Sequence, residues 1–144
     1  MTSVRQLLGH KGNVVHTISP NTTVLEALRV MAEHDVGALV VLDDGEVMGV
    51  VSERDYARKV ILKGKASVDT PVSQIMSGVV FSVTSKATVD ECMTLMTEHR
   101  VRHLPVIENG QLSGIISIGD VVKAIIGRQQ HEIEELEQYI TGSR

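Results

Sequence analysis

The feature that most constrains this chain is an internal repeat. When the sequence is shifted by 65 residues, positions 14–59 fall on positions 79–124 without a gap, and 15 of the 46 aligned pairs are identical. A gapless match of this kind indicates two copies of one structural unit. The whole chain has 144 residues, so each copy is too small to bury a comfortable core alone. We therefore expect the two copies to pack together.

Each copy opens with the same two elements. An apolar stretch at 14–18, and again at 79–83, predicts a strand. Thr-x-x-Glu follows at Thr23–Glu26 and Thr88–Glu91, and this pattern is typical of a capping box at the start of a helix. Apolar residues then recur at intervals of three and four, which predicts an amphipathic helix in each copy.

A hairpin and a second helix complete each copy. Asp44-Gly45 and Asn109-Gly110 lie between apolar stretches, and both dipeptides favour the positive φ angles of a tight hairpin turn. The second helix is expected from about 52 to 62 and from about 117 to 126. Each unit is therefore β-α-β-β-α, and the fold class is α/β.

The chain divides into three parts on this basis: unit 1 at 1–66, unit 2 at 67–127, and a helical tail at 128–144. Short segments at 4–8 and 72–76 resemble each other and predict a helical lead-in to each unit. In the tail, Ile126, Ile133 and Ile140 recur every seven residues. Two interpretations stay open for this stripe: a helix lying on the protein's own surface, or self-association.

Composition excludes several classes of protein. The net charge is −4 and aromatic residues make up 2% of the chain, so the basic surface and stacking platforms of a nucleic-acid binder are lacking. No apolar run approaches the ~20 residues of a membrane span, and the first residues do not resemble a signal peptide. Cys92 is the only cysteine, which excludes an intrachain disulfide. We expect a cytoplasmic protein without nucleic-acid or membrane partners.

A doubled heptapeptide carries a resemblance to a known family. It runs Gly-Val-Val-Ser-Glu-Arg-Asp at 49–55 and Gly-Ile-Ile-Ser-Ile-Gly-Asp at 114–120, and His-Leu-Pro-Val stands at 103–106. With the doubled β-α-β-β-α unit, residues 1–127 resemble a tandem pair of cystathionine-β-synthase (CBS) domains, a Bateman module. The resemblance implies two pseudo-symmetric units packed as one module, with a C-terminal helix outside it.

The resemblance also implies a function. CBS pairs are mostly regulatory proteins that bind AMP, ADP or ATP, and in some members NAD or S-adenosylmethionine, in clefts between the units. They commonly form homodimers. Small bacterial members with a segment like Ser-Glu-Arg-Asp-Tyr at 52–56 are those in which AMP and nicotinamide dinucleotides recur. We therefore expect a sensor module that signals to a protein effector, and not an enzyme.

The serine–aspartate pairs suit a nucleotide on physical grounds. Ser52 and Ser117 stand where a strand is expected to end and a helix to begin, a point that favours anions. Asp55 and Asp120 follow three residues later and could accept hydrogen bonds from both hydroxyls of a ribose. The alternative interpretation is a plain helix cap made by serine and aspartate.

Phosphates require cations, and two clusters offer them. Arg54, Arg58 and Lys59 lie in unit 1, and Arg100, Arg102 and His103 lie in unit 2. A solvated basic face is the alternative for Arg58 and Lys59. A phosphate beside His103 would raise its pKa and make binding sensitive to pH.

The two clefts should differ. Gly119 stands where unit 1 has Arg54, and Gly37-Ala38 stands where unit 2 has Arg102-His103. One cleft is expected to suit a compact monophosphate such as AMP, and the second, roomier one to admit NAD(H). Adenine should lie against apolar wall and strand backbone, although these residues are also ordinary core. The expected nucleotide-binding residues are Thr17, Ile18, Val36, Gly37, Ala38, Ser52, Arg54, Asp55, Lys59, Ser82, Val83, Arg102, His103, Leu104, Pro105, Ser117, Gly119 and Asp120.

Other chemistries receive little support from the sequence. The six histidines form no dense cluster with Cys or acidic residues, so we expect no metal site. Cys92 falls on the apolar face of a predicted helix, and no nucleophile–base set is evident, so we expect no catalytic residues. A dimerisation or docking module that works without a ligand is the alternative function.

Overall fold

A computed structural model describes residues 2–12, 14–78 and 81–141. Within them, α1 is Val4–Lys11, α2 is Val24–His34, α3 is Glu53–Tyr56, α4 is Val89–His99 and α5 is Ile118–Ile140. The strands are β1 Thr17–Ile18, β2 Ala38–Asp43, β3 Glu46–Ser52, β4 Ser77–Gly78, β5 His103–Glu108 and β6 Gln111–Ser117. A π-helical turn, Ala57–Ile61, continues α3, and a 3-10 turn, Val72–Gln74, precedes β4. None of the helices in these ranges is long and apolar enough to cross a membrane.

The α2 and α4 helices begin at the threonines that the sequence indicates. The Thr23 hydroxyl accepts from the Glu26 N–H at 3.2 Å, and the Thr88 hydroxyl accepts from the Glu91 N–H at 3.1 Å. These bonds satisfy amides that have no partner within the helix. The glutamate half of the predicted capping box is present in neither helix, since neither Glu26 nor Glu91 accepts from the N–H of its threonine; the Glu26 carboxylate pairs with Arg29 instead.

Both predicted hairpins are present and have matching registers. Ala38 pairs with Ser52 in β2–β3, and His103 pairs with Ser117 in β5–β6. All four central turn residues have φ between 51° and 80°, the conformation that Asp-Gly and Asn-Gly tolerate best. The two hairpins therefore end at equivalent points, each leading a serine into a helix.

The first strands are shorter than the sequence predicts. Only Thr17 and Ile18 of the 14–18 stretch form a strand, which pairs in parallel with β2. In unit 2, Val79 and Val80 lie outside the described residues, and Val83 makes an isolated parallel bridge to Val106. The first sheet has the order β1-β2-β3-β4, so that β4, from the start of unit 2, adds to the sheet of unit 1.

The two cores exchange their lead-in segments. Val4, Leu7 and Leu8 of α1 are buried in the core of unit 2, whereas Val72 and Ile75 are buried in the core of unit 1. Backbone hydrogen bonds fix both segments in equivalent ways: the Val4 N–H donates to the Ala87 carbonyl, and the Val72 N–H donates to the Thr22 carbonyl, each at 2.8 Å. Each core is thus completed by chain from the other half of the sequence.

The second helix of unit 2 does not stop near residue 126. It continues as α5 to Ile140, a single helix of 23 residues. Gly127 lowers helix propensity by about 1 kcal/mol relative to alanine but does not break a helix. The segment expected as a separate tail from 128 is therefore the second half of one continuous helix.

Candidate functional site

Two clefts lie between the units. The larger, of about 660 Å³, collects residues from both units; we name it the large cleft. The smaller, of about 300 Å³, lies beside Ser117 and Asp120; we name it the small cleft. The large cleft is lined by Gly37, Val50, Ser52, Glu53, Arg54, Asp55, Arg58, Lys59, Ser77, Gly78, Phe81, His99, Arg100, Val101, Arg102, His103 and Pro105. The small cleft is lined by Lys11, Val14, His16, Asp35, Val36, Gly37, Ala38, His103, Ile115, Ser117 and Asp120.

Ser52 and Asp55, where β3 ends and α3 begins, form one wall of the large cleft; we name this pair the Ser52–Asp55 corner. Asp55 Oδ2 accepts from both the N–H and the hydroxyl of Ser52 at 3.0 Å, and the Asp55 N–H donates to Ser52 Oγ at 3.2 Å. The helix cap that sequence reasoning held as the alternative is therefore present. The other carboxylate oxygen, Oδ1, lies 3.3 Å from Lys59 Nζ, and Lys59 also donates to the Ile75 carbonyl. A serine, a carboxylate and a cation are thus held together at the cleft surface.

Arginines from both units surround this corner. Arg54 and Arg58 come from unit 1, and Arg100 and Arg102 come from unit 2. None of the four takes part in an ion pair with the described residues. Their charges therefore face the cleft solvent without a fixed counter-anion, an arrangement that attracts anions. The fold brings together two clusters that the sequence separates by more than 40 positions.

His103 is shared by both clefts. Burial lowers the pKa of His103 below its usual value, the nearby Lys11 ammonium lowers it further, and Asp120 acts in the opposite direction. The imidazole is therefore poised to be neutral in the absence of an added anion, and an anion bound beside it would favour its protonated form.

The small cleft has the same serine–aspartate corner with a different cation. The Ser117 N–H donates to Asp120 Oδ2 at 2.8 Å, and the Asp120 N–H donates to Ser117 Oγ at 3.1 Å. Lys11, from α1, lies 2.5 Å from Asp120 Oδ2 and donates to the Ile115 carbonyl at 2.8 Å. Burial raises the pKa of Asp120, but the bonds from Lys11 and Ser117 outweigh it and leave that pKa below the usual range. Each aspartate therefore already has a lysine counterion.

Stacked rings flank both clefts. The Phe81 and His99 rings stack at 3.9 Å beside the large cleft, and the His16 and His34 rings stack at 3.7 Å beside the small one. The two pairs are related by the 65-residue repeat. Sequence reasoning did not pair these rings; the repeat, which relates position 16 to 81 and position 34 to 99, was the available signal.

The structure brings most, but not all, of the expected residues to the clefts. Twelve line one or both: Val36, Gly37, Ala38, Ser52, Arg54, Asp55, Lys59, Arg102, His103, Pro105, Ser117 and Asp120. Leu104 is fully buried in the core and Val83 is buried, so neither offers a surface to a ligand. Thr17, Ile18, Ser82 and Gly119 do not line either cleft. Sequence reasoning missed Lys11, whose aspartate partner is 109 positions away.

Cys92 lies apart from this chemistry. It is buried in the core of unit 2, and burial, followed by the nearby Glu91 charge, raises the pKa of the thiol to about 11. The thiolate is the reactive form of cysteine, so this thiol is inert at neutral pH. Among the described residues, no group of three or more His, Cys, Asp or Glu side chains is arranged to hold a metal ion.

Comparison with known proteins gives a consistent result. The CBS domain family model matches residues 11–62 and 72–127. A curated relative, the CBS domain-containing protein CBSX3, mitochondrial, of Arabidopsis thaliana, is 42% identical over 125 residues. That match covers 83% of this chain and 61% of the plant protein, so this chain spans less than two thirds of that relative's length.

Solved structures share the fold over most of the chain. A protein with CBS domains from Burkholderia ambifaria MC40-6 is similar with a TM-score of 0.84 and 47% identity, covering 89% of this chain and 96% of that one. The CBS domain pair of MJ0100, solved with 5'-methylthioadenosine and S-adenosyl-L-methionine, has a TM-score of 0.79 at 22% identity, covering 89% and 98%. Two family matches in one chain, on a fold shared with domain pairs, place this protein in the CBS domain family as a tandem CBS pair.

Proposed function

We propose that this CBS pair is a regulatory module that binds adenine nucleotides in its two clefts. The observation that carries the proposal is the large cleft, where the Ser52–Asp55 corner of unit 1 faces Arg100 and Arg102 of unit 2. A carboxylate is suited to ribose hydroxyls, and arginines are suited to phosphate. A nucleotide placed with its ribose on one unit and its phosphate on the other would join the two units.

The two clefts differ in the ligand that each would take. The volume of 660 Å³ lies within the common range for small-molecule sites, roughly 300–1,000 Å³, and 300 Å³ lies at its lower limit. The large cleft, with four arginines that form no ion pair with any residue the structure describes, suits a ligand with more than one phosphate, such as NAD(H) or ATP. The small cleft suits AMP, whose single phosphate would be met by Lys11 and His103.

Two lysines, Lys11 and Lys59, link ligand binding to a change in the structure, because a ligand would compete for their ion pairs. Lys59 and Lys11 each pair with the aspartate that would receive a ribose. A phosphate would compete for these ammonium groups, while the ribose hydroxyls would replace them on the carboxylate. Lys11 belongs to α1, which is packed in the core of unit 2. A ligand that draws Lys11 away from Asp120 binds one arrangement of α1 better than another, and this difference is what a regulatory response requires.

Calorimetry and thermal denaturation test the proposal with AMP, ADP, ATP, NAD, NADH and S-adenosylmethionine. We expect saturable binding and a raised melting temperature with AMP and with at least one larger adenylate. Arg102→Ala should weaken binding of the larger ligand, because it removes a cation from the large cleft. Arg29→Ala is the matched control, since Arg29 lies exposed on α2 and pairs with Glu26. If none of the six compounds binds, the proposal fails and the docking module becomes the better explanation.

A further inference from the structure

Two residues at equivalent positions of the repeat carry opposite charges. Asp35 follows α2 and Arg100 follows α4, separated by the repeat offset of 65 residues. Each ends its helix in the left-handed conformation, with φ of 53° and 54°, so the two side chains leave the backbone at equivalent points. Both residues are exposed. Asp35 lines the small cleft and Arg100 lines the large one.

The walls opposite the two serine–aspartate pairs are related by the same repeat. In the large cleft, the wall from unit 2 holds Arg100, Arg102 and His103. The equivalent wall of the small cleft comes from unit 1, and its three equivalent positions hold one carboxylate and two side chains without charge: Asp35, Gly37 and Ala38. A phosphate that extends from the aspartate toward the opposite unit therefore meets cations in the large cleft and a carboxylate in the small one.

The overall charge around each cleft differs in the same direction. The described residues that line the large cleft include five Arg or Lys side chains and two carboxylates, whereas those that line the small cleft include one lysine and two carboxylates. That lysine, Lys11, already donates to Asp120, and Asp35 takes part in no ion pair with the described residues. Asp35 therefore places a negative charge without a fixed counter-ion at the mouth of the small cleft.

We propose that Asp35 restricts the small cleft to adenylates with a single phosphate, whereas its counterpart Arg100 allows the large cleft to take a longer phosphate chain. The inference rests on the proposed function, because it assigns the residues that set the preference of each cleft. In the small cleft, Lys11 and His103 meet the first phosphate, and a second phosphate extends toward Asp35 and is repelled. Two unit charges about 6 Å apart in water change an affinity by about threefold, so reversing one of them changes it by about tenfold.

An exchange of the two charges tests the inference directly. Asp35→Arg/Arg100→Asp leaves the net charge of the chain at −4, and each position receives the residue that its counterpart holds in the same conformation. AMP and ADP are titrated separately, without divalent cations and at low ionic strength, where charges are least screened. Nuclear magnetic resonance of the Asp55 and Asp120 N–H groups follows the large and the small cleft in one sample. The affinity for ADP relative to AMP should rise about tenfold at the small cleft and fall about tenfold at the large one.

Single neutral substitutions provide a matched control. Asp44 is exposed and has the same φ of 53° as Asp35, but it lines neither cleft. Asp35→Asn should raise the relative affinity for ADP at the small cleft about threefold, and Asp44→Asn should leave it unchanged. Asparagine tolerates the left-handed conformation as well as aspartate does, so both variants should fold, and circular dichroism verifies this. These two variants decide the question if the exchange variant is unstable.

The outcomes separate this inference from the proposed function. If AMP and ADP bind but neither the exchange nor Asp35→Asn alters their relative affinities, the inference is wrong and the proposed function stands. An equal change in Asp44→Asn would assign the effect to the net charge of the chain and would also overturn the inference. If neither nucleotide binds the wild-type chain, the proposed function fails and this inference fails with it.

Discussion

Replacing Asp55 with asparagine separates its two roles. Asp55 Oδ2 accepts from the N–H and hydroxyl of Ser52, and an asparagine oxygen can keep this cap. The change removes the negative charge that would receive the ribose hydroxyls and that faces Lys59. The Lys59 pair is partly exposed, so we expect the loss of folding stability to stay below about 1 kcal/mol.

The effect on binding should be much larger. Hydrogen bonds to a charged group contribute about 1.5–3 kcal/mol, against about 0.5–1.5 kcal/mol for neutral ones. For two ribose hydroxyls, the difference is about 2–3 kcal/mol, which corresponds to a loss of roughly 30- to 150-fold in affinity at the large cleft. Calorimetric titration of wild type and Asp55→Asn with NAD measures this loss directly.

Thermal denaturation gives an independent measurement of the same change. Ligand at a hundred times its Kd stabilises a protein by about 2.7 kcal/mol, which raises Tm by roughly 5–11 °C for a chain of this size. At the same ligand concentration, binding to a hundredfold weaker site stabilises the protein by only about 0.4 kcal/mol. Asp120→Asn is the matched control, because it alters the other cleft. An Asp55→Asn affinity within twofold of wild type would mean that Asp55 is only a helix cap, and it would refute the ribose role.

Three further predictions follow from individual contacts. Lys11→Met should weaken AMP binding at the small cleft by about tenfold, the value of a charge-assisted hydrogen bond, and should leave the large cleft unchanged in the same titration. Gly49→Ala should lower the free energy of unfolding by about 1–3 kcal/mol, measured by denaturant unfolding, because the added Cβ would overlap the Ser77 backbone oxygen. Gly114→Ala should lower it by less, because the added Cβ would meet the Leu8 side chain, which can move. Burial lowers the pKa of His103 in the folded chain, so as pH falls below about 6.5 this histidine is protonated in the unfolded chain before it is protonated in the folded one. Over that pH range the free energy of unfolding should therefore fall more steeply for wild type than for His103→Gln. Equal slopes would contradict a lowered pKa for His103.

The elements that local chemistry determines could be predicted from the sequence. Asp44-Gly45 and Asn109-Gly110 accept the positive φ that a tight turn needs, and the threonine caps act within one helical turn. The repeat then related the two halves, so a correct prediction for one hairpin supported the other. The roles of the Ser52–Asp55 and Ser117–Asp120 corners in nucleotide binding are still predictions.

Features that depend on distant neighbours could not be predicted. The apolar faces of the lead-in segments indicate that they are buried, but periodicity does not tell which core they enter. Lys11 gave no local signal, because Asp120 and Ile115 are more than 100 positions away. The second helix of unit 2 was expected to end near residue 126, yet α5 packs against α4 and Arg128 is held by Asp90, so contacts with a distant segment hold the helix on both sides of Gly127.

The exchanged lead-in segments make the two halves mutually dependent. A fragment ending near residue 66 would lack Val72 and Ile75 from its interior, and a fragment starting there would lack Val4, Leu7 and Leu8. Neither fragment should form a stable core alone, whereas the two mixed together should reassemble by supplying each other's missing pieces. The intact chain should accordingly melt in a single cooperative step. A displacement of α1 would act directly on the core of unit 2, because Val4, Leu7 and Leu8 are buried there.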